Sequence, residues 1–372
     1  MDILEEVERA KRRVTTDAYQ MSFGEVVNLY QDQDLIINPE FQRLFRWTNF
    51  QKSRLIESIL LGIPIPPIFV YETPDGKWEL VDGLQRISTV LEFIGVLRDG
   101  ESGRTLPPSV LSTTNYLPSL NNVVWERSEI IPGSRIEDQT EIGKVLQLSI
   151  RRSRIGVEIL KRSSDAHTKY DLFQRLNSGG SIANPQELRN CIAVMVNSEL
   201  FRALRQLSHH PSFTTMVQST EEQKKRQRDL EYAMRFLVYR YIPYDGKKDV
   251  EEYIDFGIIQ IGERALYTDA VEKNFKDTFD LLHRALGADG LKRYSAAFSG
   301  RVGLTGLEVV AVGVSFNLDQ IVALDDPVKF VRQKVHDLWG LEDVDNFSRP
   351  GVTGTQRIQK SIPFGKDWFQ PS

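Results

Sequence analysis

Apolar alternation with a period of two is confined to the first 160 residues of this chain, whereas from about residue 197 onward apolar positions recur at helical spacing. That switch points to an α+β protein whose second half is mostly α-helical. At 372 residues the chain is too long for one small core, so two compact regions are expected. The boundary should fall in 195–222, where His209-His210-Pro211-Ser212 and Ser219-Thr220-Glu221 dilute the periodicity.

Local signals place the elements. Residues 1–20 are charged and polar and read as a peripheral lead-in helix. Ser22 with Glu25 forms a capping box for a helix to about Tyr30, and Leu35-Ile36-Ile37 is a brief strand. Leu55, Ile56, Ile59 and Leu60 predict a helix over 48–61, capped by Thr48 and stopped by Gly62. Residues 66–71 and 77–81 read as antiparallel strands joined at Thr73-Pro74-Asp75-Gly76, and a helix from Leu84 to near Gly95 follows. Residues 98–150, rich in Ser, Pro, Asn and Gly, read as a loop-rich insertion, and 154–160 return to strand alternation. Pro185 opens a further helix to Val196. Beyond it, Leu230, Met234, Leu237 and Tyr241 mark one helical stripe and Phe275, Phe279, Leu282 and Leu286 another.

The strand-turn-helix at 77–95 has a chemical use. A strand ending at Asp82, a glycine at 83 and a helix starting at Leu84 bring backbone N–H groups and the positive end of a helix dipole to one point, which suits an anion. Arg86 can add a bidentate contact to phosphate and Gln85 can donate from its amide. Asp82 beside a phosphate is repulsive unless it holds a cation or handles a proton or water. The plain alternative is that Asp82 caps the helix and pairs with Arg86. Two further clusters are candidates. Gln42 and Arg43 can complete a phosphate clamp, near Trp47, which either stacks on a base or packs in the core. Asn177 can reach a metal or a phosphate just before Gly179 and Gly180, a glycine pair that equally serves as an ordinary helix stop.

Composition narrows the partners. The formal net charge of -4 argues against a chain that coats nucleic acid everywhere, so contact must come from local patches. Two are present, Arg151-Arg152-Ser153-Arg154 and Lys224-Lys225-Arg226-Gln227-Arg228; either is a phosphate-binding surface or a solvated face. The single cysteine, Cys191, excludes an internal disulfide and sits in an apolar stretch that suits a buried thiol. No stretch approaches the roughly 18 apolar residues of a membrane span, and the N-terminus lacks the features of a signal peptide. A cytoplasmic protein with no membrane partner is expected.

Pro39-Glu40-Phe41-Gln42-Arg43 with Trp47, Ile63-Pro64-Ile65-Pro66-Pro67, Val81-Asp82-Gly83-Leu84-Gln85-Arg86-Ile87-Ser88-Thr89, and Phe173 to Asn177-Ser178-Gly179-Gly180 with Glu187-Leu188-Arg189-Asn190 resemble, in this order, the N-terminal domain of GmrSD-type modification-dependent restriction enzymes. The resemblance implies a ParB/sulfiredoxin-like domain with a small mixed sheet over 21–196 and a nucleoside-triphosphate site in which Asp82, Gly83, Gln85 and Arg86 match the essential motif; the helical domain over 197–372 rests on periodicity alone. It implies that Gln42 and Arg43 match an earlier Gln-Arg pair and that Asn177, Gly179 and Gly180 match a later box. Leu84 departs from the usual glutamine.

Many relatives carry a C-terminal His-Asn-His-type nuclease module. Here the second half offers His209, His210, His283 and His336 without the grouping such a module needs, and none is expected.

Three readings follow. The first is an NTPase directed by DNA, in anti-phage defence or restriction, assisted by Mg²⁺ held by Asp82 or Asn177, with Asp82, Gln85 and Arg86 catalytic. The second is a nucleotide or DNA sensor that hydrolyses little and recruits a separate nuclease or defence subunit. The third is metal-dependent DNA nicking by the ParB-like fold. A homodimer stays open in all three.

Overall fold

The computed structural model describes residues 3, 16–37, 47–73, 75–100, 102–161, 185–347, 349 and 351–371. The chain divides into two compact units, Met1–Ile182 and Ala183–Ser372.

In the first unit, strand β1 (Thr16–Ser22) runs into helix α1 (Phe23–Gln31). The capping box is present: the Glu25 N–H donates to Ser22 Oγ at 3.2 Å, and the Ser22 N–H donates to Glu25 Oε2 at 2.7 Å. Strand β2 (Leu35–Ile36) and helix α2 (Asn49–Leu61) follow, the helix capped by Thr48 and closed by left-handed Gly62. The hairpin β3 (Ile68–Glu72) and β4 (Trp78–Asp82) leads into α3 (Leu84–Ile94). After the short strands β5 (Val123–Val124) and β6 (Thr140–Glu141) come helix α4 (Lys144–Arg152) and strand β7 (Arg154–Leu160).

The main sheet has the order β1-β7-β3-β4-β2. Its β1/β7 and β3/β4 pairs are antiparallel and its β7/β3 and β4/β2 pairs parallel, so the sheet is mixed. Phe23, Ile56, Leu91 and Phe93 from the helices and Val70, Val157 and Ile159 from the sheet share one buried core.

Within the first unit, two segments differ from expectation. Residues 16–20, read as part of a lead-in helix, are strand, paired along the length of β7 from Thr16↔Leu160 to Ser22↔Arg154. Ala18, Tyr19 and Gln20 are exposed, and an edge strand wet on both faces carries no apolar alternation. Within 98–150, α4 is a regular helix. Its buried positions are Gln147 and Ile150, whereas Val145, Leu146 and Leu148 face solvent, so its apolar residues mark the wrong face.

The second unit is helical, as expected. It contains α5 (Pro185–Val196), α6 (Ser198–Ser208), α7 (Pro211–Val217), α8 (Glu221–Lys225), α9 (Arg228–Tyr241), α10 (Val250–Glu263) and α11 (Asp269–Leu286). A two-stranded hairpin, β8 (Arg293–Ser295) and β9 (Ala297–Ser299), precedes a π-helical turn at Gly306–Ala311. Then come α12 (Val312–Phe316), α13 (Leu318–Val322), α14 (Pro327–Leu338), α15 (Glu342–Phe347) and α16 (Gly354–Trp368).

Phe213, Phe236, Phe275 and Phe279 form the aromatic centre of this unit, with ring centroids 4.8–5.3 Å apart. Helix α5, expected at the end of the N-terminal domain, belongs to this unit. Fully buried Arg189 donates to Asp255 at 2.8 Å, Glu251 at 2.5 Å and Gln186 at 2.8 Å.

Gly354-Thr355-Gln356-Arg357, which reads as a loop, is the first turn of α16. Thr353 caps it, and Arg357 Nε donates to both oxygens of the buried Glu308 carboxyl.

Candidate functional site

Strand β4 ends at Asp82, opposite Phe69, where the β3/β4 register shifts between Phe69 and Val70. Gly83 then turns the chain with φ 98° and ψ 11° and is the N-cap of α3, with no side chain bonding into the first turn. A Cβ on Gly83 would lie 2.4 Å from Ile68 Cγ2 and 2.9 Å from Ile68 Cβ. Both the backbone angle and the approach of β3 therefore demand glycine. The result is a strand delivered straight onto a helix N-terminus whose backbone donors no described side chain caps, the geometry that receives anions.

Asp82 does not cap α3, because that position belongs to Gly83. Its carboxylate instead accepts from Arg86 Nη2 at 2.8 Å, with the Asp82 side chain 33% exposed and that of Arg86 15% exposed. The same Arg86 nitrogen donates to the Pro67 carbonyl at 3.1 Å. Arg86 Nε is buried and has no hydrogen-bond partner among the described residues. Leaving such a donor unsatisfied costs about 1–3 kcal/mol, so a guanidinium held this way is poised to take an acceptor.

Gln85 faces the entry to α2: its Oε1 accepts from the Trp47 N–H at 3.2 Å, and its backbone carbonyl accepts from Thr89 Oγ1 at 2.6 Å. Trp47 is half-buried and packs against the core, as does Leu84. Lys52 of α2 and Glu92 of α3 form a largely buried ion pair at 2.6 Å, a contact between residues 40 apart that no local pattern signals. Gln42, Arg43, Asn177, Gly179 and Gly180 lie outside the described residues, so the site comprises the 82–86 turn and its neighbours from β3 and α2. No group of three or more His, Cys, Asp or Glu able to hold a metal occurs among the described residues.

The two basic runs fare differently. Arg151, Arg152 and Arg154 are exposed at the α4–β7 junction and form no ion pair among the described residues, with Arg151 lying 5.7 Å from the Trp125 ring centroid. In the second run Lys224 pairs with Glu221 at 2.8 Å and Arg226 with Glu222 at 2.7 Å. Arg228 turns back onto the Tyr232 ring, and the Lys225 side chain lies outside the described residues. Own-helix acids thus neutralise much of that run.

No helix among the described residues is long and apolar enough to cross a membrane. Residues 23–194 match the family model described as GmrSD restriction endonuclease, N-terminal domain. No curated protein and no solved structure matches the chain.

Proposed function

We propose that this chain, whose residues 23–194 match the model of the GmrSD restriction endonuclease N-terminal domain, is a DNA-directed component of a restriction or anti-phage system that binds a nucleoside triphosphate at the 82–86 turn and hydrolyses it. The observation that carries the reading is the largely buried Arg86 guanidinium, whose Nε has no hydrogen-bond partner among the described residues, beside a helix N-terminus capped by no described side chain. Terminal phosphate oxygens would accept from that guanidinium and from the backbone donors of α3, which gather positive charge where negative charge develops as the bond to the leaving diphosphate breaks. Asp82, partly exposed beside Arg86, would polarise the attacking water or share a Mg²⁺ ion with the phosphates. A single carboxylate fits such an ion, which takes its other ligands from phosphate and water. Gln85 supports the site by holding Trp47. The exposed arginines at 151, 152 and 154 are the surface we assign to DNA phosphates.

Hydrolysis of the four ribonucleoside triphosphates, measured alone and with plain or modified DNA, tests this. Asp82→Ala should abolish turnover while retaining nucleotide; a variant that hydrolyses at the wild-type rate removes the mechanism.

One observation favours a second reading, a sensor that binds without turnover and recruits a separate nuclease. Asp82 and Gln85 are already engaged, by Arg86 and by the Trp47 N–H. Measurable nucleotide affinity with negligible turnover, even with DNA present, would select it.

A further inference from the structure

We infer that the helical unit carries a second anion site, separate from the 82–86 turn, that takes the phosphate groups of either a nucleic-acid backbone or a soluble polyphosphate. A cavity of about 500 Å³ lies among the α7–α9 turns and residues 292–302, within the size range of small-ligand pockets. Its wall includes Arg226, Arg228, Lys292 and Arg301 against one acid, Glu222. Arg226 is matched by Glu222, and Lys292 by Asp289 at 2.6 Å. Arg228 and the exposed Arg301 have no ion-pair partner among the described residues.

Arg228 is held in place rather than dangling. Its Nη2 donates to Tyr232 Oη at 2.7 Å and to the Val302 carbonyl at 2.9 Å, and its guanidinium carbon sits 4.8 Å from the Tyr232 ring centroid. Its Nε is buried with no hydrogen-bond partner among the described residues. A guanidinium already ordered and still holding an unused donor loses little freedom on binding an oxyanion. Among the described residues no aromatic ring lines the cavity on which a base could stack, so the wall selects phosphate rather than a base. The run at 224–228 does not make this site alone; Lys292 and Arg301, more than 60 residues later, complete it.

The test is calorimetric titration of the full chain with tripolyphosphate, comparing wild type, R301E and R86A. Arg301 is exposed, so R301E should keep the wild-type circular dichroism and melting temperature. Loss of one charge-assisted contact should weaken binding at this site about tenfold in R301E, while R86A retains it. Superimposable titrations of wild type and R301E, or no binding by wild type, overturn the assignment. A duplex that displaces tripolyphosphate in R86A but not in R301E identifies backbone phosphate as the source, and one that leaves it bound identifies a soluble polyphosphate.

Discussion

Gly83 is the position at which one residue decides whether the site exists. Any side chain there meets a positive φ and an Ile68 methyl at 2.4 Å from its Cβ. Gly83→Ala should therefore destabilise the first unit by about 2–4 kcal/mol, from left-handed strain together with overpacking. Denaturant titration reads this directly, and a midpoint unchanged from wild type would mean that β3 yields at no cost. Asp82 and Arg86 were legible as a pair from their i, i+4 spacing. That Arg86 Nε is buried without a partner among the described residues was not, because the guanidinium is held by the Pro67 carbonyl, which arrives from the segment just before β3.

At the scale of elements, α2 anchors the segment that follows α3. Glu57 accepts from the Tyr116 N–H at 2.9 Å and the Leu117 N–H at 3.0 Å, and four residues earlier Ser53 Oγ accepts from the Ser112 N–H at 2.9 Å. Burial pushes the Glu57 carboxyl up, but hydrogen bonds from Thr114 and the two backbone donors outweigh it and hold the group below the usual glutamate range. A depressed folded value means stabilisation that is complete above the unfolded value near ~4.3 and is lost as pH falls through the folded one. Glu57→Gln should accordingly flatten the fall in melting temperature on acidification below about pH 4. A slope equal to wild type would place that sensitivity elsewhere. The α4 helix carries a complementary lesson: its solvent-facing Val145, Leu146 and Leu148 hid a helix that packs through Gln147 and Ile150.

For the whole molecule, α5 decides where the second unit begins. Buried Arg189 binds Asp255 and Glu251 of α10, and Arg235 of α9 shares Glu251 at 2.7 Å. Removing α5 leaves those carboxylates without one of their cations, and breaking a buried pair costs about 3–5 kcal/mol. A fragment of residues 183–372 should unfold cooperatively, whereas one of residues 197–372 should melt broadly or not fold. Equal melting of the two fragments would show that Arg189 is dispensable to this unit.

Sequence alone determined the elements with strong local signals: the capping box at Ser22, the cap at Thr48, glycine stops at 62 and 95, the hairpin read at 66–71 and 77–81, and the apolar stripes of α9 and α11. It also marked the 82–86 turn, because a strand, a glycine and a helix start are adjacent in the chain. Only the tertiary structure decided that residues 16–20 are an edge strand, that α5 belongs with the helical unit, and that Arg228 and Arg301 share one cavity. Each of those outcomes depends on partners far away in the chain, and periodicity reports which face of an element is apolar but not what that face will meet.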